Sequence, residues 1–279
     1  MRQQSYFLNG TSIEIFHDVE KGNVKHAVFD FDGTISLIRD GWQNVMVPMM
    51  VDVLLAETTT RETREELERV VVEFVDRLTG KQTIYQMIQL CEEIQKRGGT
   101  PQDPLAYKDL YNSLLLPIVN ARIADLEKGK ISADSLRVPM SLEFLEQLRG
   151  RGVKCYLASG TDIEFVKHEA ALLGVADAFD GGIFGALRAY KNFSKAMVIQ
   201  KILNDFKLHG SELLIVGDGY VEIENAKAVG AIAVGVPSVE KNRYHMNADK
   251  RNRLIRAGAD ILIPDFREGE KLLTYLYSD

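Results

Sequence analysis

The stretch Val24-Lys25-His26-Ala27-Val28-Phe29-Asp30-Phe31-Asp32-Gly33-Thr34 constrains this chain most. An apolar run that stops abruptly at two carboxylates and a glycine reads as a central strand of a parallel sheet. Open α/β sheets carry their ligands at the C-terminal edge of such strands. Asp30 and Asp32 stand two apart, with Phe31 turned away between them and Gly33 letting the backbone bend. Crowded carboxylates stay ionised cheaply only when a cation or a proton is shared between them. A hard divalent ion with oxygen ligands, most naturally Mg2+, meets that need, and Mg2+ sites combine one or two carboxylates with water and phosphate oxygens. The pair therefore points to phosphoryl chemistry. The same letters also fit an ordinary Asp-Gly turn after a strand, so other segments have to decide between the two readings.

The bulk numbers leave room for that chemistry and narrow its partners. At 279 residues, 46% hydrophobic and 27% charged, the chain buries a full core as one large or two modest domains. A net charge of -6 argues against a nucleic-acid-binding role. Cys91 and Cys155 are too few for a disulfide scaffold and are expected as two free thiols in a reducing compartment. The N-terminal residues lack a signal-peptide core, and no apolar run approaches a membrane span, so the expectation is a cytoplasmic protein with no membrane partner.

Taken in order, Asn9-Gly10 and the alternation of Ser12-Ile13-Glu14-Ile15-Phe16 predict an extra hairpin at a sheet edge. From about 42 to 130 the pattern is helical. Leu67, Val70, Val71, Phe74, Val75 and Leu78 line one face of an amphipathic helix, and Ile84, Met87, Ile88, Cys91 and Ile94 line a second. A third starts near Pro104 and is expected to kink or end at Pro117. Together with 42–55 this makes at least four helices, a small bundle. After 131, strands and helices alternate: strands at 153–158, around 183–187, 213–217, 231–236 and 260–263, and helices at 141–148, 163–173, 193–208 and about 240–257. Crossovers of that length imply a parallel sheet flanked by helices, an α/β fold.

Asp30-Phe31-Asp32-Gly33-Thr34 resembles the first motif of the haloacid dehalogenase superfamily, in its phosphatase branch. The resemblance implies a Rossmann-like core over 1–38 and 131–279, with an α-helical cap inserted over 39–130. It also implies Asp30 as the nucleophile that forms an aspartyl-phosphate, and Asp32 as general acid and base. It requires three further stations at later strand ends, and each is present in order. Ser159 with the Gly160 amide stands where a hydroxyl holds the phosphoryl group, although the same residues also fit a helix N-cap. Lys195 fits the phosphate-binding lysine, favoured over Lys191 for its place at a helix start. Asp218, in Gly217-Asp218-Gly219, resembles the acid that ligates Mg2+ together with Asp30 and the main-chain carbonyl of Asp32, with Glu222 as the trailing acid associated with the metal. Halide-cleaving relatives lack an acid at position 32 and ion-pumping relatives carry Thr there, so both of those branches fall.

The resemblance further implies a cap that closes over the site and reads the leaving group, which argues for a small phosphorylated metabolite such as a sugar phosphate or phosphoglycolate. Arg39, Trp42 and the loop residues Lys81 and Gln82 are the expected specificity contacts; the glycine-lysine loop fits a plain helix C-cap equally well. The expected activity is Mg2+-dependent phosphomonoester hydrolysis. A sugar phosphomutase of the β-phosphoglucomutase type shares the same motifs, and a non-catalytic binder of phosphorylated ligands is a third possibility that the intact site set speaks against. The sequence carries no signal for oligomeric state.

Overall fold

The computed structural model describes residues 5–239 and 245–278. Its frame is an eight-stranded sheet: β1 (Tyr6–Phe7), β2 (Glu14–Ile15), β3 (His26–Phe29), β4 (Lys154–Asp162), β5 (Gly182–Ala186), β6 (Leu213–Gly217), β7 (Ile232–Gly235) and β8 (Ile261–Leu262). The spatial order is β1-β2-β8-β7-β6-β3-β4-β5. From β8 to β5 every pairing is parallel, and the expected N-terminal hairpin adds antiparallel at the β8 edge. β3 lies between β4 and β6, with Phe29 beside Leu157 on one neighbour and Val216 on the other.

Side chains alternate across the sheet with the period of two that strands impose. Ala27, Phe29, Cys155, Leu157, Leu214 and Val216 face one apolar core. Val28, Tyr156, Ala158, Leu213 and Ile215 face the other. Burial on both faces explains why these strands read as continuous apolar runs in the sequence. Helices α5 (Ser141–Gly150), α6 (Ile163–Leu172), α7 (Lys195–Phe206), α8 (Tyr220–Ala228), α9 (Ala248–Ala257) and α10 (Gly269–Tyr277) cover the faces. The helical segment expected near 240–257 is described from Ala248, since 240–244 lie outside the described residues.

The helical bundle is inserted between β3 and β4. Its members, the insert helices, are α1 (Gln43–Glu57), α2 (Arg64–Leu78), α3 (Thr83–Lys96) and α4 (Pro104–Glu127). The second begins with a capping box, in which the Thr63 hydroxyl accepts from the Glu66 amide at 3.3 Å and the Glu66 carboxylate accepts from the Thr63 amide at 2.8 Å. The fourth runs through Pro117 for 24 residues, so of the two outcomes expected there, a kink or an end, the helix does not end. Pro117 is exposed and so is Ser113, whose carbonyl loses its i+4 donor; that carbonyl is therefore left to water rather than to a dry interior. Among the described residues no helix is long and apolar enough to cross a membrane. Cys91 and Cys155 are both free and buried.

Candidate active site

The first station forms because β3 runs out of apolar residues at the sheet's C-terminal edge. The Asp30 amide still donates to Val216 O at 2.9 Å, and the chain then turns, with Phe31 O accepting from the amides of Ile35 at 2.8 Å and Ser36 at 2.9 Å. Gly33 makes the turn possible. Its φ is +79°, and a Cβ there would collide with the Asp218 carboxylate, so only glycine lets the β3 and β6 tips approach.

Asp30, Asp32, Gly160, Lys195 and Asp218 line one cavity of about 90 Å3 between the sheet edge and the inserted bundle. Lys195 sits in the first turn of α7, which Ser194 caps by accepting from the Met197 amide. Its Nζ donates to Asp30 Oδ1 at 2.6 Å and also to Glu222. All three side chains are buried. Lys191 is exposed on the preceding turn, which separates two lysines that the sequence left in competition. Burial raises the Asp30 pKa well above the usual carboxylate range; the neighbouring carboxylates of Glu222 and Asp218 add to that rise, and Lys195 opposes it. Burial alone would lower the Lys195 pKa, but Asp30 and Glu222 together hold it above the ordinary lysine value. One ammonium thus serves two buried carboxylates.

Asp32 is held from one side only. Its Oδ2 accepts from Thr161 Oγ1 at 2.8 Å and Ser159 Oγ at 3.3 Å, while Oδ1 is buried without a hydrogen-bond partner. Ser159 also accepts from the Thr161 amide at 3.0 Å, is fully buried and does not line the cavity. Nor does it cap a helix: Asp162 precedes α6, with no side-chain cap bond. Gly160 and Thr161 face the cavity, so Thr161 joins the candidate site although no sequence signal marked it. Asp218 Oδ2 accepts from Lys250 Nζ at 2.8 Å. Lys250 sits early in α9, and no motif marked it.

The four expected specificity contacts part company. Arg39 and Trp42 line the cavity, as does the loop residue Lys81. Gln82 does not: its Nε2 donates to Tyr190 O at 3.0 Å and Phe193 O at 2.7 Å, strapping the insert loop to the turn before Lys195. The strap holds the loop close. A Cβ on Gly160 would come within 2.5 Å of Lys81 O, so the bundle is seated down on the sheet edge. Arg39 is buried and makes a forked ion pair with Glu169 on α6, with contacts of 2.6, 3.1 and 3.2 Å.

Burial pushes the Glu169 carboxyl up to about 7, with Arg39 opposing and Asp32 assisting. A carboxyl whose folded pKa is raised contributes stability that is full below its unfolded pKa of about 4.5 and is lost as pH rises through about 7. The stability of the parent minus that of Glu169→Gln is therefore expected to fall by roughly 3 kcal/mol between those limits, the worth of about two and a half pKa units. Denaturant unfolding at a series of pH values checks this, and a flat difference would contradict it.

The donor set fits a hard divalent cation. Asp30 and Asp218 contribute carboxylates, the free Asp32 Oδ1 and Glu222 Oε2 are buried without partners, and every candidate atom is oxygen. Among the described residues no three His, Cys, Asp or Glu side chains are gathered tightly enough to form a cage. In this arrangement the charge of Asp30 and Asp218 is offset by the ammonium groups of Lys195 and Lys250.

A sequence profile described as haloacid dehalogenase-like hydrolase matches residues 24–230, which contain every station of this site. The chain belongs to that family. The fold is shared with solved structures of low sequence identity. A predicted phosphoglycolate phosphatase from Haemophilus somnus is 17% identical, with 90% of this chain and 98% of that one covered, at a TM-score of 0.59. The β-phosphoglucomutase from Clostridium difficile is 13% identical, covering 91% and 97%, at 0.60. A predicted phosphatase from Clostridium acetobutylicum is 14% identical, covering 90% and 98%, at 0.58. In sequence, the chain is 24% identical over 251 residues to a copper-transporting ATPase from Helicobacter felis and spans only 30% of that relative's length.

Proposed function

We propose that this hydrolase is a Mg2+-dependent phosphatase of small phosphorylated metabolites, with the inserted bundle acting as its cap. One observation carries the reading: Asp30 and Asp32 line a single cavity, the first held by a buried lysine and the second presenting an unpartnered oxygen. Asp30 attacks phosphorus, and the bond to the leaving oxygen breaks as Asp32 gives that oxygen its proton. Asp32, now ionised, takes a proton from water, and the hydroxide oxygen attacks the aspartyl-phosphate. Phosphate leaves and Asp30 is restored. Thr161 and Ser159 keep Asp32 aimed through both steps, while Lys195 and the Gly160 amide offset charge on the phosphoryl oxygens. Asp30, Asp218 and the main-chain carbonyl of Asp32 are the residues that would hold Mg2+, which supplies electrophilic stabilisation of the phosphoryl oxygens when bound.

The seated bundle limits the leaving group to something small and shields the aspartyl-phosphate from bulk water. The hydrolase description of the matching family favours transfer to water over transfer to a sugar hydroxyl. Two buried, unpaired cysteines fit the expected cytoplasmic setting. The test is hydrolysis of 4-nitrophenyl phosphate with Mg2+ and then with excess chelator. Turnover is expected to fall by at least about 100-fold on chelation, the scale of losing electrophilic stabilisation. Equal rates in both conditions would overturn the metal assignment.

A further inference from the structure

The half of the cavity facing the bundle contains polar groups that the hydrolytic steps do not use. Gln86, on the insert helix Thr83–Lys96, is only 4% exposed and has no side-chain hydrogen bond to the described residues. Tyr111, on the insert helix Pro104–Glu127, is 5% exposed and its hydroxyl is likewise unpartnered. Arg39 spends Nε and Nη2 on Glu169, and its Nη1 donates to nothing among the described residues. The side chains are largely buried while their free polar groups open onto the cavity, so three of them on one wall stand ready to bind a ligand in place of water.

The charges of that wall say which ligand. Its cations are Arg39, Lys108 and Lys81. Arg39 is neutralised by Glu169, and Lys108 pairs with Asp162 at 2.5 Å. Lys81 is exposed, where an ion pair contributes little. Asp40 adds a further carboxylate to the lining. No buried cation is left over for a second anionic group. The hydrogen-bonding set is mixed: the Gln86 amide offers both a donor and an acceptor, the Tyr111 hydroxyl does the same, and Arg39 Nη1 only donates. Hydroxyl groups, which both donate and accept, can satisfy all of these at once. A carboxylate only accepts, so it would leave the Gln86 amide oxygen unpaired and bring a negative charge into a cavity that Asp40 also lines.

We infer that this wall is a subsite for an uncharged, hydroxyl-bearing leaving group, which makes the substrate a phosphate monoester of a small polyol or sugar rather than a phosphorylated carboxylic acid or a bisphosphate. The inference rests on the phosphatase reading above. Its test uses matched pairs that differ only in replacing a CH2OH group by a carboxylate: sn-glycerol 1-phosphate against 3-phospho-D-glycerate, and D-glucitol 6-phosphate against 6-phospho-D-gluconate. 4-Nitrophenyl phosphate is the common reference. Assays are run with Mg2+ at pH 8, where Glu169 carries its charge beside Arg39.

In the pair that is turned over faster, the polyol member is expected to have a kcat/KM at least tenfold above its acid. Gln86→Leu, which keeps the side chain's size, is expected to lower the ratio of polyol-phosphate to aryl-phosphate kcat/KM at least tenfold, and Tyr111→Phe to lower it at least threefold. Equal use of both members, a preference for the acid, or a ratio unmoved by both variants would overturn the subsite while leaving hydrolysis of the aryl phosphate intact. Absence of aryl-phosphate hydrolysis in the parent would instead overturn the phosphatase reading, and this inference with it.

Discussion

Asp30→Asn is expected to lose hydrolysis of 4-nitrophenyl phosphate by about 10^4-fold or more, the order found when a nucleophile is removed from its catalytic unit. The amide has nearly the same shape as the carboxylate but carries no charge to attack phosphorus. Stability is expected to move little, or upward. Asp30 is 6% exposed, and its raised pKa means that the folded chain disfavours the ionised form needed for chemistry. Asparagine removes that penalty and leaves Lys195 paired with Glu222. Sites that hold a group against its preferred ionisation trade stability for activity in this way. Measuring turnover and thermal unfolding on the same preparation tests both halves. A variant that folds and still hydrolyses the ester within tenfold of the parent would remove Asp30 from the nucleophile's role.

Lys195→Met should do the opposite to stability. It removes the one ammonium shared by Asp30 and Glu222 and leaves two buried carboxylates facing each other. Breaking a buried ion pair from one side typically costs about 3–5 kcal/mol. Because the uncompensated acids take up protons, the deficit should shrink as pH is lowered. Adding Asp30→Asn to Lys195→Met is expected to recover part of the loss, since one carboxylate then meets a neutral amide. Denaturant unfolding of the two single variants and the double variant at pH 7 measures the coupling. If Lys195→Met is as stable as the parent, the buried cluster does not carry the electrostatic role assigned to it.

The legible parts of this chain are those where chemistry and periodicity change within a few residues. β3 and β6 were readable because apolar runs buried on both faces stop at Asp-Phe-Asp-Gly and Gly-Asp-Gly. The second insert helix was readable from its apolar stripe, whereas its capping box was seen only in the structure. Pro117 left open whether its helix would end, because that depends on whether the orphaned carbonyl reaches water, and sequence alone does not show exposure. Lys191 and Lys195 lie four residues apart, close enough that spacing favoured one without excluding the other. Gln82 drew attention as a contact for substrate, yet its amide straps two loops together across more than 100 residues of chain.

Residues acting through long-range proximity left no local mark. Lys250 reaches Asp218 from α9, 32 residues along the chain. Gln86 sits on an amphipathic helix where a polar residue ordinarily faces water, and Tyr111 lies in line with Tyr107, Leu115 and Val119 on the buried stripe of its helix; only the packing of the bundle against the sheet edge brings the two to one cavity wall. The letters by themselves determined the α/β class and the acids at the tips of β3 and β6, because strand burial and turn chemistry are local. Which lysine meets Asp30, which hydroxyl faces the cavity and which charges are already neutralised were decided by tertiary structure alone. Those properties depend on distances between segments far apart in the chain, and Coulomb and hydrogen-bond energies follow distance in space rather than separation in sequence.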